Sequence, residues 1–252
     1  MKAEEVKPYG AERPKGEQVE AMFDSIAPAY DFMNTAMTFG LHRRWLSKAL
    51  KALQRALPEK RPQKLNIIDL ASGTGEVAFS LADRFPGSDI LGVDLSEGML
   101  QIAREKINSS RKVPEGTRIS FEQGDCLNLG YPADSFDILT IAYGVRNFEN
   151  LEKGFREFYR VLRPGGVCMI IELSRPENRL IRLGYDIYSR SFIPLAGRLI
   201  SKDTRAYSYL PESIAAMPPR RRIAEMLREA GFKDVSFKSY TLGVVTCYIA
   251  VK

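Results

Sequence analysis

Apolar residues recur every three or four positions near the start of the chain, at Val19, Met22, Phe23, Ile26 and Ala27, and again at Trp45, Leu46, Leu50 and Leu53. This spacing predicts a helix beginning near residue 19 and a second over about 42–57, halted by Pro58. The stretch 30–41 between them is mixed and broken by Gly40. Residues 1–18 are polar, carry Pro8, Gly10, Pro14 and Gly16, and read as a flexible N-terminal arm. From Leu65 the period changes. Short apolar runs predict strands at 65–70, 90–95, 117–123, 136–142, 167–173, 235–240 and 246–251. Helical patterns fall between them at 76–84, 96–108, 151–161 and 223–230, with Ser96 as an N-cap and Gly231 just past the last helix. Leu162-Arg-Pro-Gly-Gly166 reads as a turn. The alternation predicts an α/β fold, a seven-stranded mostly parallel sheet with helices on both faces. A short turn at Gly243 makes the last two strands a hairpin, so one strand runs antiparallel.

Residues 174–222 interrupt this alternation at a length too great for an ordinary connection. Apolar Leu180, Ile181, Leu183, Ile187, Tyr188, Phe192 and Ile193 precede Pro194, and a further short helix is predicted at 211–216 before Pro218-Pro219. The segment reads as a helical cover over the open end of the sheet. Residues 19–252 then form a single domain, with a helical lead-in over 19–64. The chain of 252 residues is 44% hydrophobic and 27% charged, which suits one large core and excludes a disordered polyelectrolyte. No apolar run approaches the roughly 20 residues that span a bilayer. The first residues lack the apolar segment of a signal peptide. Cys126, Cys168 and Cys247 are odd in number and widely spaced, giving no metal-site pattern and suiting a reducing compartment. A cytoplasmic protein without a metal is expected. Its net charge is +6, and the ten basic and four acidic residues from Arg175 to Arg222 amount to the same excess. The cover segment is therefore a basic face.

The strongest chemical signal is Asn66-Ile-Ile-Asp-Leu-Ala-Ser-Gly-Thr-Gly75, followed by an apolar run ending in Asp94. A buried strand that turns on glycines into a helix, with an acid at the tip of the next strand, holds an adenosine-containing ligand at the carboxyl edge of a parallel sheet. Gly73, Thr74 and Gly75 let the backbone turn sharply and approach a ligand closely. Asp94 can accept hydrogen bonds from both ribose hydroxyls. Gly73, Gly75 and Ala78 also match the G-x-G-x-x-A dinucleotide fingerprint. Against a dinucleotide stands Asp69 at the mouth of the loop, whose charge opposes a pyrophosphate and suits the ammonium and sulfonium of S-adenosylmethionine. Asp125, just past the third strand, is placed to accept from an adenine amine, and the Cys126 amide to donate to a ring nitrogen. A plain polar turn would also account for Gly124-Asp125.

Leu70-Ala-Ser-Gly-Thr-Gly75, Gly92-Val-Asp-Leu-Ser96 and Leu162-Arg-Pro-Gly-Gly166 resemble the recurrent motifs of class I S-adenosylmethionine-dependent methyltransferases. Tyr30-Asp-Phe-Met-Asn34 through Gly40, His42 and Trp45 resembles, more closely, the menaquinone and ubiquinone biosynthesis C-methyltransferases. Tyr143-Gly-Val-Arg-Asn147, Glu172-Leu-Ser174 and Tyr209-Leu-Pro-Glu-Ser213 add to that likeness, which runs from Val19 onward in family order. The resemblance implies a Rossmann-like class I methyltransferase fold, S-adenosylmethionine as methyl donor, and a demethylmenaquinol or related polyprenylated quinol as acceptor. It also implies cofactor contacts at Thr74, at Asp94 with Leu95, at the pair Asp125 and Cys126, and at Ala142. Glu76 departs from the Asp more frequent in the family. Gly243-Val-Val-Thr-Cys-Tyr248 lacks a second glycine and a late histidine common in relatives.

Methylating a ring carbon needs an activated ring, in-line approach and exclusion of water. Arg146 is the candidate to stabilise a developing phenolate, unless it only pairs with an acid such as Asp31 or Glu172. Asn147 can orient the same oxygen, or merely cap the next helix. Tyr30 and His42 can pass a proton, or serve as packing and as the start of a helix. An isoprenoid tail needs an apolar channel open to a membrane surface. The cover offers apolar positions beside basic Arg198, Lys202, Arg205, Arg220, Arg221 and Arg222, so peripheral contact at the inner face of the membrane is expected. No nucleic-acid partner is expected, because Ala142-Tyr-Gly-Val stands where base-flipping methyltransferases carry D/N-P-P-Y/F. A homodimer, a different small-molecule acceptor and a non-catalytic binding role stay open on the residues alone.

Overall fold

The computed structural model describes residues 3–10, 13–59, 62–109, 112–192 and 204–252. Among them are strands β1 (Asn66–Leu70), β2 (Asp89–Asp94), β3 (Arg118–Gln123), β4 (Phe136–Ala142), β5 (Leu162–Leu173), β6 (Ser236–Tyr240) and β7 (Val245–Val251). The helices are α1 (Lys15–Ile26), α2 (Tyr30–Thr38), α3 (Leu41–Ala56), α4 (Glu76–Arg84), α5 (Glu97–Ser109), α6 (Leu151–Val161), α7 (Arg179–Ile187), α8 (Thr204–Ala216) and α9 (Arg220–Glu229). The seven strands form one sheet in the order β3-β2-β1-β4-β5-β7-β6. β1 to β5 pair in parallel, and β7 runs antiparallel between β5 and β6. The sheet predicted from the sequence, with its single antiparallel strand, is the sheet observed.

Successive strand residues point to opposite faces, and this alternation builds the layers. Ile67 of β1 and Val167, Met169 and Ile171 of β5 face α3, α4 and α5. Ile68, Leu70, Leu139, Ile141, Cys168 and Ile170 face the other way, against α6 and α9. Full burial of each such side chain contributes about 1.5–3 kcal/mol, so both layers are needed to hold the sheet. Ser96 caps α5 as expected, its Oγ accepting from the Met99 N–H at 3.1 Å.

β5, α8 and the N-terminal arm differ from the sequence reading, as does α2, a helix where the stretch 30–41 read as mixed. β5 begins at Leu162, inside the expected turn, because Leu162 pairs with Phe136 before an irregularity that precedes the Ile138–Val167 pairing. Gly165, at φ +77°, takes the bend; its N–H donates to the Lys252 carbonyl and the Lys252 N–H donates to the Gly166 carbonyl, which fastens the bend to the end of β7. α8 extends from Thr204 through Pro211, beyond the expected 211–216. The N-terminal arm, where described, is packed. Ala3 and Val6 are buried. The Lys15 ammonium donates to the carbonyls of Ala3, Arg146 and Phe148 at 2.7, 3.2 and 3.1 Å, and Glu4 accepts from the Leu151 N–H. Polar residues are frequent here because they satisfy backbone groups of the body. Ile193, Pro194, Arg198 and Lys202 of the expected cover lie outside the described residues.

α1, α2, α5 and α8 share a satellite core of Met22, Ile26, Met33, Met99, Ala206 and Tyr209. Asp24 Oδ1 accepts from Ser96 Oγ at 2.5 Å and from the Gly98 N–H at 3.0 Å. The lead-in helices are thereby fixed over the carboxyl ends of β1 and β2. No helix among the described residues is long and apolar enough to cross a membrane.

Candidate active site

A cavity of about 300 Å³ lies at those carboxyl ends. Gly73, Asp94, Leu95, Asp125, Cys126 and Ala142 line it, whereas Asp69, Thr74 and Gly75 do not. Gly73, at φ +53°, presents bare backbone, and a Cβ added there would meet only the Tyr30 ring, at 4.0 Å. Its N–H donates to Asp94 Oδ2 at 2.7 Å, and the Ser96 N–H donates to Asp94 Oδ1 at 2.9 Å. Each carboxylate oxygen keeps a further lone pair for a ligand hydroxyl. Burial pushes the Asp94 carboxyl above the usual range. Asp125 accepts from the Leu127 N–H at 2.8 Å, which fixes the turn after β3. Burial also pushes the Cys126 thiol up, leaving it inert as a nucleophile.

The other three sequence-assigned residues have different places. Asp69 is buried beside Thr140, which donates to its Oδ1 at 2.6 Å, and it does not reach the mouth of the loop. One residue of strand parity explains this, because Asp69 shares the face of Ile67 toward α4. The Thr74 hydroxyl donates to Asp31 Oδ1 at 2.6 Å and borders a second cavity instead. Gly75 is required by packing, since a Cβ there would lie 2.8 Å from the Phe121 ring and 2.9 Å from Phe79. The lining itself, in place of Asp69, opposes a pyrophosphate. Glu17, Glu20, Asp94, Asp125 and Glu149 face the cavity, with no Lys or Arg among its described lining residues. Such a wall repels phosphates and attracts cations.

The second cavity, of about 170 Å³, meets the first at Phe23, Tyr30, Ala71, Gly73, Ala142 and Tyr143. Met22, Ile26, Met33, Trp45, Leu210 and Ile214 make its walls apolar. Arg146 lies in a 3-10 turn, Val145–Asn147, and its side chain borders this cavity. Its Nη1 donates to Glu172 Oε1 at 3.0 Å and to the Tyr143 carbonyl, and its backbone N–H donates to Glu172 Oε2 at 3.2 Å. Burial opposes the charge, but Glu172 together with the Tyr30 and Tyr209 phenols outweighs it, and the guanidinium pKa is raised. Arg146 is a fixed cation. Its partner is Glu172, because Asp31 is taken by Lys106 at 2.5 Å and by Thr74. The buried Nε finds no partner among the described residues.

Asn147 borders the cofactor-side cavity, not the apolar one, and its Oδ1 accepts from the Tyr209 hydroxyl at 3.1 Å. The cap of α6 is Asn150, which accepts from the Lys153 N–H at 2.8 Å. Tyr30 stands where the cavities join, its phenol pKa raised by burial. His42 is buried, with Nδ1 2.7 Å from Thr38 Oγ1 and Nε2 3.4 Å from Glu76 Oε1. The Trp45 Nε1–H donates to Thr241 Oγ1 at 2.7 Å, a packing role. Phe23, Tyr143, Tyr185 and Tyr209 also border the apolar cavity, and sequence reading gave them no role. Tyr143 and Tyr209 lay within quoted motifs, so a signal existed. Phe23 and Tyr185 showed only an apolar or aromatic character.

The family model for the ubiE/COQ5 methyltransferase family matches residues 11–252. The chain belongs to the ubiE/COQ5 methyltransferase family. That match takes in the lead-in and the cover, so both are parts of the family's shared body. The chain is 41% identical to the demethylmenaquinone methyltransferase of Porphyromonas gingivalis, over 99% of this chain and 98% of that protein. It is 38% identical to the ubiquinone/menaquinone biosynthesis C-methyltransferase UbiE of Geobacter sulfurreducens, over 94% of this chain and 90% of that one. Its fold is similar to that of a SAM-dependent methyltransferase from Thermotoga maritima, with a TM-score of 0.60 at 20% identity, covering 92% of this chain and 99% of the other. The family's class I methyltransferase architecture is thus the one the motifs implied.

Proposed function

We propose that the protein transfers a methyl group from S-adenosylmethionine to a ring carbon of demethylmenaquinol, giving menaquinol. The observation that carries this reading is the meeting of two unlike cavities, one walled by carboxylates and one apolar with the Arg146 guanidinium at its edge. The residues present fit the cofactor. Asp94 offers lone pairs to ribose hydroxyls, Asp125 stands past β3 for an adenine amine, and the acidic wall suits a sulfonium and an ammonium. S-adenosylmethionine supplies an electrophilic methyl group when bound. Gly73, Ala142 and Tyr30 sit where the methyl donor would face an acceptor ring. Arg146 stabilises a developing phenolate on that ring, held in aim by Glu172, which strengthens the transition state more than the ground state. Asn147, bonded to Tyr209, steadies the turn that carries Arg146.

A second reading, ring methylation of a polyprenyl benzoquinol precursor of ubiquinone, is favoured by the name of the Geobacter relative. The same residues would serve it. Cells lacking the gene separate the two: accumulation of demethylmenaquinone is expected, whereas accumulation of a demethylated ubiquinone precursor alone would select the second reading.

The cover segment supports delivery of a tailed acceptor from a lipid surface. Leu180, Leu183 and Ile187 line one face of α7 and are 81%, 60% and 61% exposed, too apolar a stripe to leave to water. Arg179 and Arg182 flank them. Such a helix suits the plane of an anionic membrane. Flotation with anionic vesicles is expected to carry the protein upward, and replacing the three residues by Ser to abolish it. Equal recovery without lipid would contradict peripheral contact.

A further inference from the structure

We infer that His42 and Glu76 form the proton outlet of the acceptor cavity, passing the proton released by methylation into a separate solvent cleft. This deepens the proposed reaction and rests on it. Ring methylation exchanges a C–H bond for a C–C bond. The ring donates the electron pair to the methyl carbon, the pair of the broken S–C bond remains on sulfur, and one proton must leave the ring system per turnover. The cavity that would hold the ring is small and mostly apolar, so that proton needs a defined way out.

Most groups around the cavity cannot take it. Burial raises the phenol pKa values of Tyr30, Tyr143, Tyr185 and Tyr209, so all four stay protonated. Arg146 is a fixed cation, and Glu172 is committed to it. His42 is the histidine of a chain that has one. It stands, with Leu46 and Glu76, in the wall between the acceptor cavity and an open cleft of about 750 Å³ that also borders Asp31, Asp83 and Lys106.

The hydrogen bonds around the imidazole assign its tautomer. The single hydroxyl proton of Thr38 goes to the Asn34 carbonyl at 2.6 Å, so Thr38 Oγ1 accepts from His42 Nδ1–H at 2.7 Å. Nε2 is left with its lone pair, 3.4 Å from Glu76 Oε1. A proton taken at Nε2 forms an imidazolium that the Glu76 carboxylate stabilises and then relieves. Arg43 Nε lies 3.7 Å from the same oxygen. The Glu76 side chain is 37% exposed, enough to hand the proton to water. Among the described residues, Thr38 from α2 and Glu76 from α4 face this ring, and Arg43 from α3 pairs with Glu76. Neither His42 nor Glu76 borders the cofactor-side cavity.

The test is turnover of demethylmenaquinol from pH 5.5 to 9.5 by the full-length protein and by His42→Gln, Glu76→Gln and Glu76→Asp. His42→Gln is expected to lower kcat about 100-fold and to remove the acidic limb of the profile, with calorimetric affinity for S-adenosylmethionine unchanged. Glu76→Gln is expected to lower kcat about 10-fold, and Glu76→Asp to restore it, because only the charge is required. A second measurement needs no histidine variant. The lone imidazole Hε1 resonance is followed by NMR, and its chemical shift at fixed pH is expected to change in Glu76→Gln. His42→Gln turning over within twofold of the parent with an unchanged profile overturns the outlet. So does an imidazole resonance indifferent to Glu76, which decides the matter if His42→Gln does not fold. Failure of the parent protein to methylate the quinol would instead reject the acceptor, while the resonance still tests the pair.

Discussion

Asp69 is 1% exposed, with one carboxylate oxygen on Thr140 and the other without a partner among the described residues. Burial lifts its pKa to about 7, whereas an unfolded chain has about 3.9. Between those values the folded state holds a proton that the unfolded state has released. Asp69 therefore favours folding at low pH, and the advantage is lost as the pH rises through 7. The difference is on the order of 4 kcal/mol. Asp69→Asn keeps an acceptor for Thr140 and removes the ionisation. Scanning calorimetry is expected to show its Tm several degrees above the parent at pH 8 and equal to it at pH 4. Equal values at pH 8 would contradict this account. Arg146 and Glu172 make the opposite case, a buried charge held by a partner, where removing either member strands the other at a cost of about 3–5 kcal/mol.

The lead-in helices close the cofactor-side cavity, since Glu17, Val19, Glu20 and Phe23 of α1 form part of its wall. Asp31 of α2 ties that cover to the glycine turn, accepting from the Thr74 hydroxyl and from Lys106, which also donates to the Thr74 carbonyl at 3.0 Å. Asp31→Ala is expected to speed dissociation of S-adenosylhomocysteine about 5-fold, roughly 1 kcal/mol, as read by stopped-flow fluorescence. An unchanged off-rate would show that the contact does not gate release. Such tertiary links were illegible in the sequence. Lys15 and Asp31 are polar residues whose partners lie far along the chain, and no period marks them. β4, by contrast, was legible to the residue, because a strand buried on both faces reads as a mainly apolar run. Asp94 and Gly73 were legible because strand, glycine and acid recur at fixed offsets in such folds. The same pattern could not give the depth of Asp69, which depends on one step of strand parity.

Across the whole molecule, charge and polarity divide the work among surfaces. Carboxylates line the cavity under α1, apolar side chains line the one under α2 and α8, and an apolar stripe lies outside on α7. On the proposed reading, a small cationic donor and a greasy ring are thereby sorted to opposite sides of Gly73, Tyr30 and Ala142. The most direct test of that division is incubation of the purified protein with S-adenosylmethionine carrying a 13C-labelled methyl group and with demethylmenaquinol in detergent. The product is then read by 13C NMR. A methyl signal on a ring carbon is expected from the parent protein, with Arg146→Gln slowed about 100-fold at unchanged cofactor affinity. A methoxy signal, or no label in the quinol while another acceptor is methylated, would contradict the assignment.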